Sequence, residues 1–68
     1  MNKIDRNAYP QLNNILWDRA DRYIAAEDAF AAYERRWPHV DQEHLRLEEL
    51  LLIRQLTAEY GNGMFLSV

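Results

Sequence analysis

Residues 16–37, LWDRADRYIAAEDAFAAYERRW, contain neither Gly nor Pro and place a large side chain at every seventh position: Leu16, Tyr23, Phe30 and Trp37. Leu12, Arg19, Ala26 and Tyr33 fall between them and complete an a/d pattern interrupted only by Arg19. Such a run predicts a helix with an apolar seam. Its ends are marked as well, because Pro10 suits a first helical turn, where its missing N–H is not needed, and Pro38 steers Trp37 out of the helical region. A helix over 10–37 would be about 28 residues long and roughly 42 Å from end to end. Six alanines between Ala20 and Ala32 favour it and leave room for a neighbouring helix. Asp18 and Arg22 stand four residues apart in the favourable order, and Arg35 and Arg36 place positive charge at the helix C-terminus.

Working outward, His39-Val40-Asp41 reads as a turn into a second helix over 41–60. Asp41 is the expected N-cap, Val40 and Leu45 are spaced as a hydrophobic staple, and Glu43 adds negative charge to the first turn. A rival start lies near Arg46, just before Leu47. Gly61 suits the end of the helix, since a left-handed cap costs it no steric penalty. On this second helix Leu45, Leu52, Ile53, Leu56 and Tyr60 share one face, while Leu47, Leu51 and Ala58 point roughly the opposite way. Helix one shows a similar excess, with Trp17, Ile24 and Ala31 flanking the main seam.

Residues 1–8 read as a loose N-terminal arm, pinned where Ile4 or Tyr9 finds a groove, and residues 61–68 as an apolar C-terminal tail that folds back on a groove. The whole, 1–68, is then one helical-hairpin domain. Its size lies where a single core barely outweighs chain entropy, and with no Cys the usual supports narrow to self-association. The expected fold is all-α: a helix-turn-helix hairpin that pairs with a second copy as a homodimeric, antiparallel four-helix bundle. Its core and dimer contacts would be Leu16, Tyr23, Phe30, Tyr33, Trp37, Leu45, Leu52, Ile53, Leu56 and Tyr60.

The chemistry legible in the chain is sparse. His39, Asp41, Glu43 and His44 are the only cluster of metal-ligand types, but their spacing is not that of a helical two-His site, and loop and capping roles account for them, with His44 paired to Glu48. Thr57 and Ser67 are the only hydroxyl side chains besides tyrosine. The carboxylate pairs Glu27–Asp28 and Glu48–Glu49 are adjacent in sequence, so on a helix they diverge by about 100° rather than converge on a substrate. No enzyme, no metal and no cofactor is expected. Arg19 in the seam reads as a snorkelling or ion-paired side chain, or as a device that fixes register.

Eight basic and eleven acidic residues give a net charge of -3, with the second half the more acidic. The basic residues are scattered among carboxylates, which disfavours nucleic acid as a partner. A compact DNA-binding regulator is the alternative, with Pro38–Asp41 as its turn, but Gln42–Leu47 would then read bases with only Arg46 as a cation. No segment has the length or apolarity to span a bilayer, and a soluble, cytoplasmic protein is expected. A chain this small without catalytic residues resembles the accessory proteins of phages and other mobile elements, which occlude host regulators or defence complexes. The apolar surplus on both helices, and not that analogy, points to a protein–protein interaction module, an inhibitor or adaptor, with Trp17, Ile24, Leu47, Leu51 and Phe65 as candidate partner-binding residues.

Overall fold

Pro10 does open a helix, at its first position, but that helix lasts six residues. In the computed structural model, which describes residues 3–61, α1 spans Pro10–Ile15 and is preceded by a strand, β1, at Lys3–Asp5. A second strand, β2, follows at Tyr23–Ala25, and then come α2 at Ala26–Arg35 and α3 at Leu47–Tyr60. β1 and β2 pair antiparallel, Lys3 opposite Ala25, Ile4 opposite Ile24 and Asp5 opposite Tyr23. Single 3-10 turns at Arg6–Ala8, Trp37–His39 and Gln42–His44 fill the connections. The all-α hairpin is therefore overturned, and with it the dimeric four-helix bundle, because the helix over 10–37 that both require is broken by a loop and a strand.

Two arginines explain the break. Beyond Ile15 no helix continues to supply N–H groups: the Asn13 and Leu16 carbonyls take single turn-type bonds from the Leu16 and Arg19 N–H groups (3.4 and 3.2 Å), and guanidinium donors supply the rest. Arg6 directs all five N–H groups into this region: Nε to Asn13 Oδ1 at 2.8 Å, Nη2 to the carbonyls of Asn13 (3.2 Å) and Leu16 (2.9 Å), and Nη1 to those of Arg19 (2.7 Å) and Asp21 (3.2 Å). Arg36 reaches from the end of α2 to the Ile15 carbonyl at 2.8 Å and pairs with both oxygens of Asp18. Charged donors in a rigid fork are stronger partners for terminal carbonyls than a neutral N–H. The expected Asp18–Arg22 pair is accordingly absent; Arg22 pairs with Asp5 instead, across the strands. Arg19, assigned to the seam, pairs with Asp21 and Asp28 at 3.1 Å each, holding the 16–22 loop against α2.

The sevenfold repeat is thus shared among unlike elements. Leu16 and Phe30 are buried and Trp37 packs on the rim of the core, but Tyr23, in β2, is 52% exposed. Ile24, its neighbour, turns the other way and is buried opposite Ile4, as alternation in a strand demands. Residues 3–8 are consequently an integral part of the fold and not a loose arm. The core joins Ile4 and Ile24 of the sheet, Leu12 and Ile15 of α1, Phe30 and Tyr33 of α2, Val40, and Leu52, Ile53 and Leu56 of α3. Ala26, Ala29 and Ala32 are buried along α2, so its neighbours approach closely.

α3 begins at Leu47, the later of the two starts. Asp41 supplies no side-chain cap; its carboxylate takes His44 Nδ1 at 2.6 Å, and its N–H donates to Gln11 Oε1 at 2.9 Å. Leu45 and Arg46 are extended, which lets Leu45 pack on the core before the helix starts. Gly61 does end α3, but at φ −109° and ψ 8° rather than in the left-handed region, with its N–H donating to the Thr57 carbonyl. Among the described residues no helix is long and apolar enough to cross a membrane.

Candidate interaction surface

The position of α3 is set by one buried charge. Glu49 is 1% exposed, and its carboxylate accepts the backbone N–H groups of Gln11 (3.1 Å) and Leu12 (2.8 Å) and the Tyr33 hydroxyl (2.7 Å). Gln11 and Leu12 are the second and third residues of α1, whose N-cap position, Tyr9, supplies no side-chain bond. A carboxylate from another helix therefore does what a local Ser or Asp would normally do, satisfying orphan donors where the helix dipole favours negative charge. Burial, and then the hydrogen bond to Glu49, push the Tyr33 phenol far above its ordinary range, so it remains a donor.

With Glu49 turned inward, helical geometry decides what faces out. Leu52, Ile53 and Leu56 lie on the Glu49 side and are buried, while Leu47 and Leu51, four residues apart, remain 68% and 53% exposed. Leu50 flanks them at 41%. Three leucines within little more than one turn form an apolar patch, bordered by Glu48, Arg54 and Gln55. Beside the patch lies a groove of about 490 Å³, walled on one side by Glu48, Leu51, Leu52 and Gln55 of α3 and on the other by β1, Ala8 and Tyr9.

Of the residues expected to bind a partner, Leu47 and Leu51 are thus brought together. Ile24 is not available, since it is buried in the sheet. Phe65 lies outside the described residues, as does the rest of the apolar tail from residue 62 onward. Trp17 is 60% exposed but belongs to a different cluster: the Arg36 guanidinium lies 4.2 Å from its ring centroid, and His39 meets it edge-on at 5.4 Å. Arg36 is held there by Asp18, whose carboxyl it lowers to a pKa of about 2. The remaining expected core residues divide: Tyr33, Leu52, Ile53 and Leu56 are buried, Leu45 packs on the rim, and Tyr60 is partly exposed with its ring 6.4 Å from that of Phe30.

Sequence reasoning missed Leu50 and the β1 wall of the groove, and it read Glu49 only as one member of a diverging carboxylate pair. Glu49 did carry a signal, because it stands three, four and seven positions from Leu52, Ile53 and Leu56, on the apolar side of its helix.

The other chemistries find little support in the geometry. His44 pairs with Asp41, not Glu48, while His39 packs on Trp17, and among the described residues no group of three or more metal-ligating side chains converges. The two Glu49 oxygens are committed to three structural donors. Arg6, Arg19, Arg22 and Arg36 are committed to carbonyls and carboxylates within the fold. The segment that a DNA-binding reading would place in a groove begins with the Gln42–His44 turn and two extended residues rather than a helix. Comparison with protein-family models, with curated proteins and with solved structures finds no match in any of the three.

Proposed function

We propose that the protein is a non-enzymatic interaction module, an inhibitor or adaptor, that presents the outer face of α3 to an amphipathic helix of another protein. The observation that carries this reading is the exposure of Leu47, Leu50 and Leu51 on a helix whose rotation is fixed by buried Glu49. A helix laid along α3 would cover the patch with its own apolar stripe, the arrangement used wherever a helix docks on a preformed apolar surface.

Magnitudes set the footprint. A fully buried leucine contributes about 1.5–3 kcal/mol, so completing the burial of three that are already partly covered yields roughly 3–4 kcal/mol. Micromolar affinity needs about 8 kcal/mol before the cost of association is counted. The patch alone is insufficient, and a stable complex has to extend beyond it to the flanking charges Glu48 and Arg54.

The test is a crosslinking capture performed in parallel with the natural chain, with Leu47→Glu plus Leu51→Glu, and with Trp17→Ala. Because both leucines are mostly exposed, the double variant should fold, and far-UV circular dichroism checks that it does. A partner recovered by the natural chain and by Trp17→Ala but lost from the double variant supports the reading. A partner retained by the double variant and lost with Trp17→Ala refutes it, and sedimentation of the purified chain shows whether that partner is a second copy.

A further inference from the structure

Helical geometry sorts the charges that border the leucine patch into two unlike flanks. With Leu51 taken as the middle of the outer face of α3, Glu48 stands about 60° to one side and Arg54 about 60° to the other. Glu59 follows Glu48 by eleven residues, which is three turns and about 20°, so the two carboxylates share a flank and lie about 16 Å apart along the axis. Gln55 falls between them on that side, while Leu50 and Arg54 occupy the other. Glu48 and Glu59 are both exposed, whereas Glu49 is turned into the core, where Gln11, Leu12 and Tyr33 take up its oxygens. The patch is therefore rimmed by two carboxylates on one side and by a guanidinium on the other.

We infer that the helix received by α3 is cationic along one flank, with Lys or Arg side chains about eleven residues apart where it meets Glu48 and Glu59. The inference rests on the interaction reading and names the chemistry of its partner. The surroundings leave the carboxylate flank acidic: Lys3 and Asp5, across the groove from Glu48, bring one charge of each sign. Residues 41–60 together carry five acidic and two basic side chains, a field that draws cations towards α3 from beyond contact range. At the rim of an apolar patch, charges choose between partners more than they add affinity, so the leucines hold a helix and the carboxylates select which helix. One exposed pair shifts affinity about two-fold; two attractive contacts exchanged for two repulsive ones separate partners by about ten-fold.

Three synthetic helical peptides of about six turns test it, identical in a leucine stripe and differing only at two flank positions eleven residues apart, which carry Lys, Gln or Glu. Each is labelled at one end and titrated with the full chain by fluorescence anisotropy, at about 0.1 M salt, where charges act over about 10 Å, and at about 1 M, where they act over about 3 Å. The expected Kd rises in the order Lys, Gln, Glu, spanning about ten-fold at the lower salt and about two-fold or less at the higher. Glu48→Gln combined with Glu59→Gln should collapse the span at the lower salt as well, and far-UV circular dichroism checks that this variant keeps its fold. Equal binding of the three peptides would overturn the inference and leave the interaction reading standing, since the leucine stripe alone would then be recognised. A preference for the Lys peptide that survives in the double variant would also overturn it, by assigning the preference to the net charge of the chain instead of to this flank. Binding of none of the three would remove the interaction reading itself, and the inference with it.

Discussion

Replacing Glu49 by Gln keeps the volume of the side chain and removes its charge, which makes it the sharpest probe of the packing of α3 on α1. The carboxylate accepts three hydrogen bonds, one at Oε1 from Gln11 N–H and two at Oε2 from Leu12 N–H and Tyr33 Oη. A glutamine amide has one oxygen to offer. In its best orientation the oxygen keeps a backbone N–H and the NH₂ donates to Tyr33 Oη, which leaves the other backbone N–H facing a donor. One buried, unsatisfied donor costs about 1–3 kcal/mol, and loss of a buried negative charge at a helix N-terminus adds about 1 kcal/mol. The expected total is about 2–4 kcal/mol. Glu49→Ala removes all three acceptor contacts and should cost about 3–5 kcal/mol. A chain of 68 residues has roughly 3–10 kcal/mol of stability, so the first change lowers the melting temperature by about 10–25 °C and the second brings the protein close to unfolding. Urea titration followed by circular dichroism measures both. A double-mutant cycle with Tyr33→Phe should return a coupling of about 1–2 kcal/mol. If Glu49→Gln lies within about 0.5 kcal/mol of the natural chain, or if the two changes are additive, Glu49 is not the clamp described.

Two further outcomes follow from the arginine pairs. Arg6→Lys keeps the charge but offers three mobile donors in place of five in a fixed fork, and about 1–3 kcal/mol of stability should be lost, with exchange rising first in residues 16–22; an unchanged urea midpoint would contradict the account of the helix break. In acid, Asp18 is held at a pKa of about 2 by its hydrogen bonds to Arg36, and Asp5 and Asp21 are lowered by Arg22 and Arg19. Carboxyls depressed in the folded state stabilise it fully above their ordinary pKa of 3.8, and that contribution is lost as pH falls towards about 2. Urea midpoints measured across this window should fall with pH, and Asp18→Asn should flatten the decline; a decline of the same slope in the variant would remove Asp18 from the explanation.

What could be seen in the sequence and what could not divide along the range of the interactions. Pro10 as a first helical residue, the helical character of 26–35, the turn at Pro38 and the helix ending at Tyr60 depend on neighbours within four or five positions, and the chain shows them directly. The break at Leu16 depends on Arg6 and Arg36, ten and twenty-one residues from the carbonyls of Leu16 and Ile15 that they occupy, and no local propensity announces it. Strand β2 is three residues long, too short for its alternation to compete with a sevenfold repeat running through it. Asp18-Arg19-Ala20-Asp21-Arg22 was the visible warning: five residues with no large apolar side chain, set in the middle of a supposed seam. At the candidate surface the same division holds. Leu47 and Leu51 follow from the helical period, whereas the groove needs β1 brought against α3, a contact between the two ends of the chain.

The apolar content that points to self-association is unevenly placed. None of the short elements is stable alone: α1 is less than two turns long and the sheet has two strands of three residues. Their stability has to come from contacts distant in sequence, and those contacts are polar at the seams, with Arg6 joining the end of β1 to the 16–22 loop, Arg36 joining α2 to α1, and Glu49 joining α3 to α1. These clamps do for a chain without cysteine some of what disulfides do for other small domains, tying segments distant in sequence to one another. They also decide what is left outside. By drawing Leu16 and Ile24 inward they reduce the surplus in the first half of the chain to Trp17 and Tyr23, each of which has an arginine over one face of its ring and stays more than half exposed. The uncovered leucines then stand together on α3, the longest helix and the one most able to keep its shape while another surface closes on it.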